Sequence, residues 1–240
     1  MIRTIILTLA IATAAPATAA EWEFIVNPYF MAPAIDGDLG VGRFDAKVGA
    51  SPSDVFSRLN WGVMGAVEAN NGEWGFNLDV NYLNVDATDD RKRRFSVNGH
   101  QAAYTATVLR RVHPFAWVYV GARLSDMGIR LDCNTDCPVV GDRSARRNKQ
   151  WVEYLAGFRA TLPFNDRVDL TVNADVGGFG IGSEVSVNAW PQLGLRISKR
   201  AKAMLGYRMI YVKHESGEGA SRFVYDALTF GPTIGAEFRF

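Results

Sequence analysis

Apolar and polar residues alternate with a period of two along most of the chain. In Glu73–Val85 the apolar and aromatic side chains fall on Trp74, Phe76, Leu78, Val80 and Tyr82, with Gly75, Asn77, Asp79 and Asn81 between them. Arg167–Phe179 repeats the pattern: Val168, Leu170, Val172, Ala174 and Val176 alternate with Asp169, Thr171, Asn173, Asp175 and Gly177. In Val152–Leu162 the even positions are apolar, and Leu155 is the one exception on the polar parity. The C-terminal stretch sets Leu228, Phe230, Pro232, Ile234, Ala236, Phe238 and Phe240 against Thr229, Gly231, Thr233, Gly235, Glu237 and Arg239. Successive side chains of a strand point to opposite faces, so each segment predicts a strand with one apolar and one polar face.

A soluble β-sandwich alternates as well. Three features favour a transmembrane antiparallel up-and-down β-barrel over it. The segments are long, about 13–19 residues against a usual ~5–6. The polar face mixes Gly, Asn and charges of both signs, which suits a narrow lumen. The apolar face carries Tyr, Trp and Phe near segment ends. Trp74 and Tyr82 are separated by roughly 20 Å of height at ~3.3 Å per residue and ~40° tilt, close to the ~25 Å apolar band of a membrane barrel.

Tight turns are expected at Asn70-Asn71-Gly72, His113-Pro114, Asn165-Asp166 and Lys199-Arg200-Ala201. Longer polar connections cover 86–94, 132–149 and 214–221, with a shorter one at Gly182-Ser183. Short and long connections alternate, as in barrels with turns at one end and loops at the other. The strands then run over 22–33, 60–70, 73–86, 95–112, 115–131, 148–163, 167–181, 184–198, 202–214 and 222–240. That makes ten, with eight or twelve as alternatives, because 35–59 is hard to place. In that segment Ser51 before Pro52 suits a helix start, and Val55, Phe56 and Leu59 would share a face of it. A surface loop, a piece folded across the barrel mouth and a strand at 39–49 remain alternatives.

Composition narrows the picture. The chain has 240 residues, 48% of them hydrophobic, which excludes a disordered chain. Met1–Ala20 has one charge (Arg3), an apolar stretch from Thr4 to Ala12 and small residues at Ala17-Thr18-Ala19-Ala20. This fits a secretory signal cleaved after Ala19 or Ala20, leaving residues 21–240 as a single barrel domain. Of 26 basic and 25 acidic residues, removing Arg3 leaves 25 of each, and a neutral chain lacks the basic footprint of a nucleic-acid binder. Two cysteines and three histidines leave little for a metal site, and no cofactor is expected. Gly177-Gly178-Phe179-Gly180-Ile181-Gly182 ends a strand and opens no helix, so it is not a phosphate loop.

The end of the chain, Thr233-Ile234-Gly235-Ala236-Glu237-Phe238-Arg239-Phe240, resembles the terminal signal read by the outer-membrane barrel assembly machinery. Gly235, Phe238 and Phe240 carry that likeness. With Trp22-Glu23-Phe24, the run Asp175–Gly180 and Gly206-Tyr207-Arg208, the chain resembles the small Gram-negative outer-membrane barrel families, OmpA-like and OmpW-like in scale. The resemblance implies a location and a fold. It implies no activity, because such families include structural, transport and enzymatic members.

The inward parity collects Glu23, Glu68, Asp79, Arg123, Glu153, Arg159, Asp169, Asp175, Arg196, Arg208, Glu237 and Arg239. Charges in a narrow lumen are costly unless paired, and Arg suits the place because its fork binds two carboxylates. An ion-pair network of Glu68, Asp79, Arg123, Glu153, Arg159, Asp175, Arg196 and Arg208 plugging the barrel is the leading expectation. A selective pore is the alternative, and Trp117, Tyr119 and Trp190 on the same parity favour filling over conduction. An outer-rim hydrolase is remote: His214, Glu215 and Ser216 lie together, but adjacency in sequence does not supply convergent geometry. Cys133 and Cys137 flank three residues of the longest loop and are expected to form a disulfide in an oxidising compartment. The runs Asp89–Arg94 and Arg143–Lys149 read as solvated loops, with contact to lipopolysaccharide phosphates as the alternative. The expected role is structural or surface interaction, and the runner-up is a small-solute channel.

Overall fold

The computed structural model describes residues 21–42, 44–88, 95–133 and 144–240. The signal segment, the basic run 89–94 and Cys137 lie outside these residues, and with them the cleavage site and the Cys133–Cys137 pairing.

The first half of the chain gives β1 (Glu23–Met31), β2 (Ala34–Val41), β3 (Phe44–Ala50), helix α1 (Pro52–Ser57), β4 (Leu59–Asn70), β5 (Trp74–Thr88) and β6 (Phe95–His113). The second half gives β7 (Ala116–Cys133), β8 (Ser144–Pro163), β9 (Val168–Gly177), β10 (Val185–Arg196), β11 (Ala201–Ser216) and β12 (Phe223–Arg239). Ten of these strands, β1 and β4 to β12, form an antiparallel ring in chain order, and β1 closes it by pairing with β12. The all-β, ten-stranded barrel is the fold the alternation predicts.

Local chemistry sets the turns. Asn71 Oδ1 accepts from the backbone N–H of Glu73 at 3.0 Å and of Trp74 at 2.8 Å, and Gly72 takes φ +82°. Asn165 Oδ1 does the same for Arg167 and Val168. These are Asx turns, in which a short side chain replaces a backbone acceptor. The end of the barrel that carries the four tight turns and both ends of the ring is here called the turn end, and the opposite one the loop end.

Segment 35–59 resolves into three pieces. β2 follows β1 along the same partner: Met31 pairs with Thr233, and Ala34 then pairs with Phe230. The two are halves of one wall strand, interrupted at Ala32-Pro33. β3 folds back on β2, so the possible strand at 39–49 is instead a hairpin grafted on the loop-end half of β12. The expected helix start holds: Ser51 caps α1 by a reciprocal bond with Asp54, and Pro52 opens it. Bonds from the Ser51 hydroxyl and N–H hold the Asp54 carboxyl below its ordinary pKa. Two strand ends differ from the alternation by more than two residues. The strand expected at 167–181 stops at Gly177, because Gly178, Phe179, Gly180 and Gly182 all take positive φ. The one expected at 148–163 starts four residues earlier, at Ser144.

The outer wall is apolar, with Val63, Val67, Phe76, Leu78, Val120, Phe158, Leu193 and Leu205 all exposed. Aromatic side chains mark both edges of this band. Trp22, Trp74, Phe115, Phe164 and Phe240 stand at the turn end. Trp61 and Tyr82, stacked with centroids 4.5 Å apart, stand nearer the loop end. The core is the lumen itself, where polar and apolar side chains occupy different heights.

Candidate functional site

Strands fix which side chains enter the lumen, and the register fixes at what height. On β7, β8 and β9 the inward residues Arg123, Glu153 and Asp175 meet. Arg123 Nη1 donates to Glu153 Oε1 at 2.9 Å, its Nη2 to Asp175 Oδ1 at 2.7 Å and its Nε to Thr105 Oγ1 at 3.3 Å. All three charged groups are buried, Glu153 completely. The other Asp175 oxygen accepts from Asn188 Nδ2 at 2.7 Å and from the Tyr119 hydroxyl at 3.3 Å.

A second cluster faces this one from β1, β5 and β11. Arg208 Nη1 donates to the Tyr29 hydroxyl at 2.7 Å, and that hydroxyl donates to Asp79 Oδ2 at 2.9 Å. Arg208 Nη2 also lies 3.5 Å from Asp79 Oδ1. Its Nε donates to Asn188 Oδ1 at 3.1 Å, and Asn188 thereby links the two clusters. The Arg208 guanidinium lies 4.6 Å from the centre of the Trp190 ring, whose N–H donates to Thr233. One arginine thus gains hydrogen bonds, an ion pair and a cation–π contact in a closed space.

A third group sits toward the turn end. Arg159 Nη1 donates to Glu68 Oε2 at 2.7 Å and its Nε to Asn173 Oδ1 at 2.8 Å. Below it Lys202 lies between Asp169 and Glu237, and Arg239 between Glu237 and Glu23. Arg196 stands apart from these clusters. It is exposed at the turn-end rim, where Nη1 donates to the Asp166 carbonyl.

The charged and aromatic residues expected inward leave out several partners that register supplies. Tyr29 shares the parity of Glu23, Asn188 that of Trp190, and Lys202 that of Arg208. Each could have been read as inward from its neighbours, but a phenol, an amide and a lysine carried no flag in the sequence. Thr105 had no inward-assigned neighbour on its strand.

The lumen has three levels. From the turn end a polar vestibule of about 800 Å³ reaches up to Arg123, Asp175 and Arg208. The ion-pair layer forms its roof. Beyond that layer the lumen turns apolar: Met31, Met64 and Leu83 form one buried cluster with Tyr29 and Trp190, and Met127, Trp151, Val212, Phe223 and Tyr225 form another.

At the loop end the Trp151 and His214 rings stack at 4.2 Å. Trp151 Nε1 donates to Ser183 Oγ, and His214 Nδ1 lies at hydrogen-bond distance from the Gly182 carbonyl. Both residues therefore latch the short β9–β10 loop. His214 Nε2 and Ser216 Oγ are 3.1 Å apart, since positions two apart share a face. Among the described residues the hydrogen-bond partners of His214 are Gly182 and Ser216, so no carboxylate orients the ring as in a Ser–His–acid triad. Among the described residues no cluster of three His, Cys, Asp or Glu is placed to hold a metal ion.

At the closing seam Phe238 and Phe240 point outward and are exposed, while Gly235 faces Tyr29. A Cβ at 235 would come within 2.8 Å of the Tyr29 Cβ, so glycine is what admits that ring to the lumen.

No protein-family model matches this chain, and no curated protein does either. Solved structures do match, and they are outer-membrane β-barrels. The outer membrane protease OmpT from Escherichia coli superposes with a TM-score of 0.56 at 8% identity, covering 95% of this chain and 100% of its own. A major outer membrane protein from Thermus thermophilus gives 0.45 at 15% identity over 91% and 99%. Ail, the attachment invasion locus protein of Yersinia pestis, gives 0.44 at 10% identity over 91% and 98%. The likeness concerns the fold.

Proposed function

We propose that this chain is a sealed barrel of the bacterial outer membrane, with a structural or surface-interaction role and no ion path through its lumen. The outward apolar band with aromatic edges supports the location, since closed barrels are the sheet structures a bilayer tolerates. The signal-like Met1–Ala20 supports export, with cleavage after Ala19 or Ala20. Phe238 and Phe240 at the end of the closing strand support delivery by the barrel assembly machinery, and the partners are then membrane lipids and lipopolysaccharide.

The observation that carries the sealed reading is the double ion pair of Arg123 with Glu153 and Asp175. It sits in one layer with Arg208, Asp79 and Tyr29, and the wall has only ten strands, far fewer than the ~16–18 of water-filled porins. The vestibule of about 800 Å³ favours the second reading, a small-solute channel whose gate is that layer. Salt efflux from liposomes separates the two. Sealed barrels leave the rate at that of protein-free vesicles, whereas a channel raises it in proportion to the protein added.

A further inference from the structure

The ionic groups of the vestibule do not balance. Glu23, Glu68, Asp79, Asp169, Asp175 and Glu237 line it, and each has a cation within 3.5 Å. Four further lining cations, Arg111, Arg196, Lys199 and Arg200, have no carboxylate at ion-pair distance among the described residues. The carboxylate left to set against them is Glu21, exposed at the open end. The surplus is positive and gathers at the mouth.

The fold brings these cations to the mouth from opposite walls. Arg111 lies near the turn end of β6 and Arg196 at that of β10, with Lys199 and Arg200 in the turn to β11. Three strands separate β6 from β10 on one side of the ring, and four separate β6 from β11 on the other. Arg111 donates to the Gly72 and Pro114 carbonyls and Arg196 to that of Asp166, so both are held in place without being neutralised. Deeper in, Arg159 is fixed by Glu68 and Asn173 through Nη1 and Nε, and among the described residues nothing takes up its Nη2. Walls of low dielectric focus such a field and raise the local concentration of anions. The Arg111 guanidinium lies 5.4 Å from the centre of the Trp117 ring, and both line the space. An aromatic surface beside a guanidinium favours an anion with a carbon skeleton over a small inorganic ion. The volume of about 800 Å³ falls in the ~300–1,000 Å³ range of small-molecule sites.

We propose that the vestibule is a blind binding pocket for a small organic anion bearing carboxylate or phosphate groups, which enters from the turn end. The cations at the mouth collect the anion, and the space under the ion-pair layer holds it. That the ligand is a periplasmic solute rests on the outer-membrane reading above, whereas binding itself does not.

The test uses the full barrel in phosphatidylcholine nanodiscs, with Cys133 and Cys137 replaced by serine and folding checked by heat-modifiable gel migration. Nanodiscs leave both ends of the barrel open, and the lipid carries no net charge. Citrate and glucose 6-phosphate are titrated calorimetrically, with glucose as the neutral control. We expect saturable binding of both anions, weakened by salt, and no binding of glucose. Arg196→Gln/Arg200→Gln should weaken it roughly tenfold, because charged hydrogen bonds are lost. Thr107→Trp fills the vestibule, touches no charge, and should weaken binding as well. Arg110→Gln/Arg167→Gln, at the same end but outside the lining, should stay within about twofold of the parent. Absence of anion binding in the parent overturns the pocket. So does an equal loss in the Arg110/Arg167 pair, which means a generally basic rim, or binding unmoved by Thr107→Trp, which puts the anion outside the vestibule. Binding that vanishes in nanodiscs containing phosphatidylglycerol assigns the cations to lipid headgroups and overturns the soluble ligand. The sealed-lumen reading stands or falls separately, on ion flux.

Discussion

The Arg208 guanidinium donates to the Tyr29 hydroxyl at 2.7 Å and so ties β11 to β1 past the intervening β12, although 179 positions separate them. The same hydroxyl passes a hydrogen bond on to Asp79. Tyr29→Phe keeps the ring beside Trp190 and deletes the relay. It leaves one donor and one acceptor short of a partner in a buried place. We expect a loss of about 1–3 kcal/mol, read as a lower urea midpoint with an unchanged slope. A midpoint equal to that of the parent barrel would show that the relay contributes nothing.

Asp175→Ala strips a partner from Arg123, Asn188 and Tyr119 together. Arg123 keeps Glu153 but loses its second carboxylate, and two further buried donors lose their acceptor, so at about 3–5 kcal/mol this variant should be the least stable of the lumen series. Arg196→Ala, at the exposed rim, should lie within about 0.5 kcal/mol of the parent. Equal effects of the two would mean that the layer is no more buried than the rim.

Alternation made the strands legible, because it depends only on which face each side chain takes, and segment length with the aromatics near segment ends turned those strands into a barrel. The strand count also followed, since turn chemistry at Asn71 and Asn165 is local. The β2–β3 hairpin was not legible: its partner, β12, lies nearly 190 positions away at Asp38 opposite Asp226, and short Gly-rich strands show little contrast between faces. For the lumen, parity reported that Arg123, Glu153 and Asp175 point inward. Height along the barrel axis, which decides who meets whom, comes only from register. That is why Arg196 was grouped with Arg208 although one lies at the rim and the other at mid-lumen.

The two faces of β9 give a sharp contrast. Val172 faces out, and Asn173 faces in toward Arg159. Val172→Arg near the bilayer midplane should cost about 2–4 kcal/mol. Spin labels at 172 and 173, in the serine background at 133 and 137, should collide mainly with oxygen at 172 and be shielded from it at 173. Equal oxygen collision rates at both sites contradict the register.

Acid should loosen α1. Asp54 has its pKa lowered by Ser51, so the cap is complete above the ordinary carboxylate value of 3.8 and is lost as pH falls through the lower folded value. A spin label at Ser57→Cys should gain mobility in that window, and Asp54→Asn should remove the pH dependence. Mobility that rises identically in Asp54→Asn assigns the change to another group.

Phe240 ends the closing strand, where its N–H donates to the Phe24 carbonyl. Deleting it should lower the amount of heat-modifiable barrel in the outer membrane severalfold and raise periplasmic degradation. Unchanged surface yield would remove Phe240 from any assembly signal.

The sealed lumen is tested most directly by single-channel recording of the refolded wild-type barrel in planar bilayers, beside Asp175→Ala. With Arg123 bound to Glu153 and Asp175, the wild type should show only rare, small events, and the variant should show more frequent leaks. A steady, ion-selective conductance in the wild type would contradict the plug and make the ion-pair layer the gate of a channel.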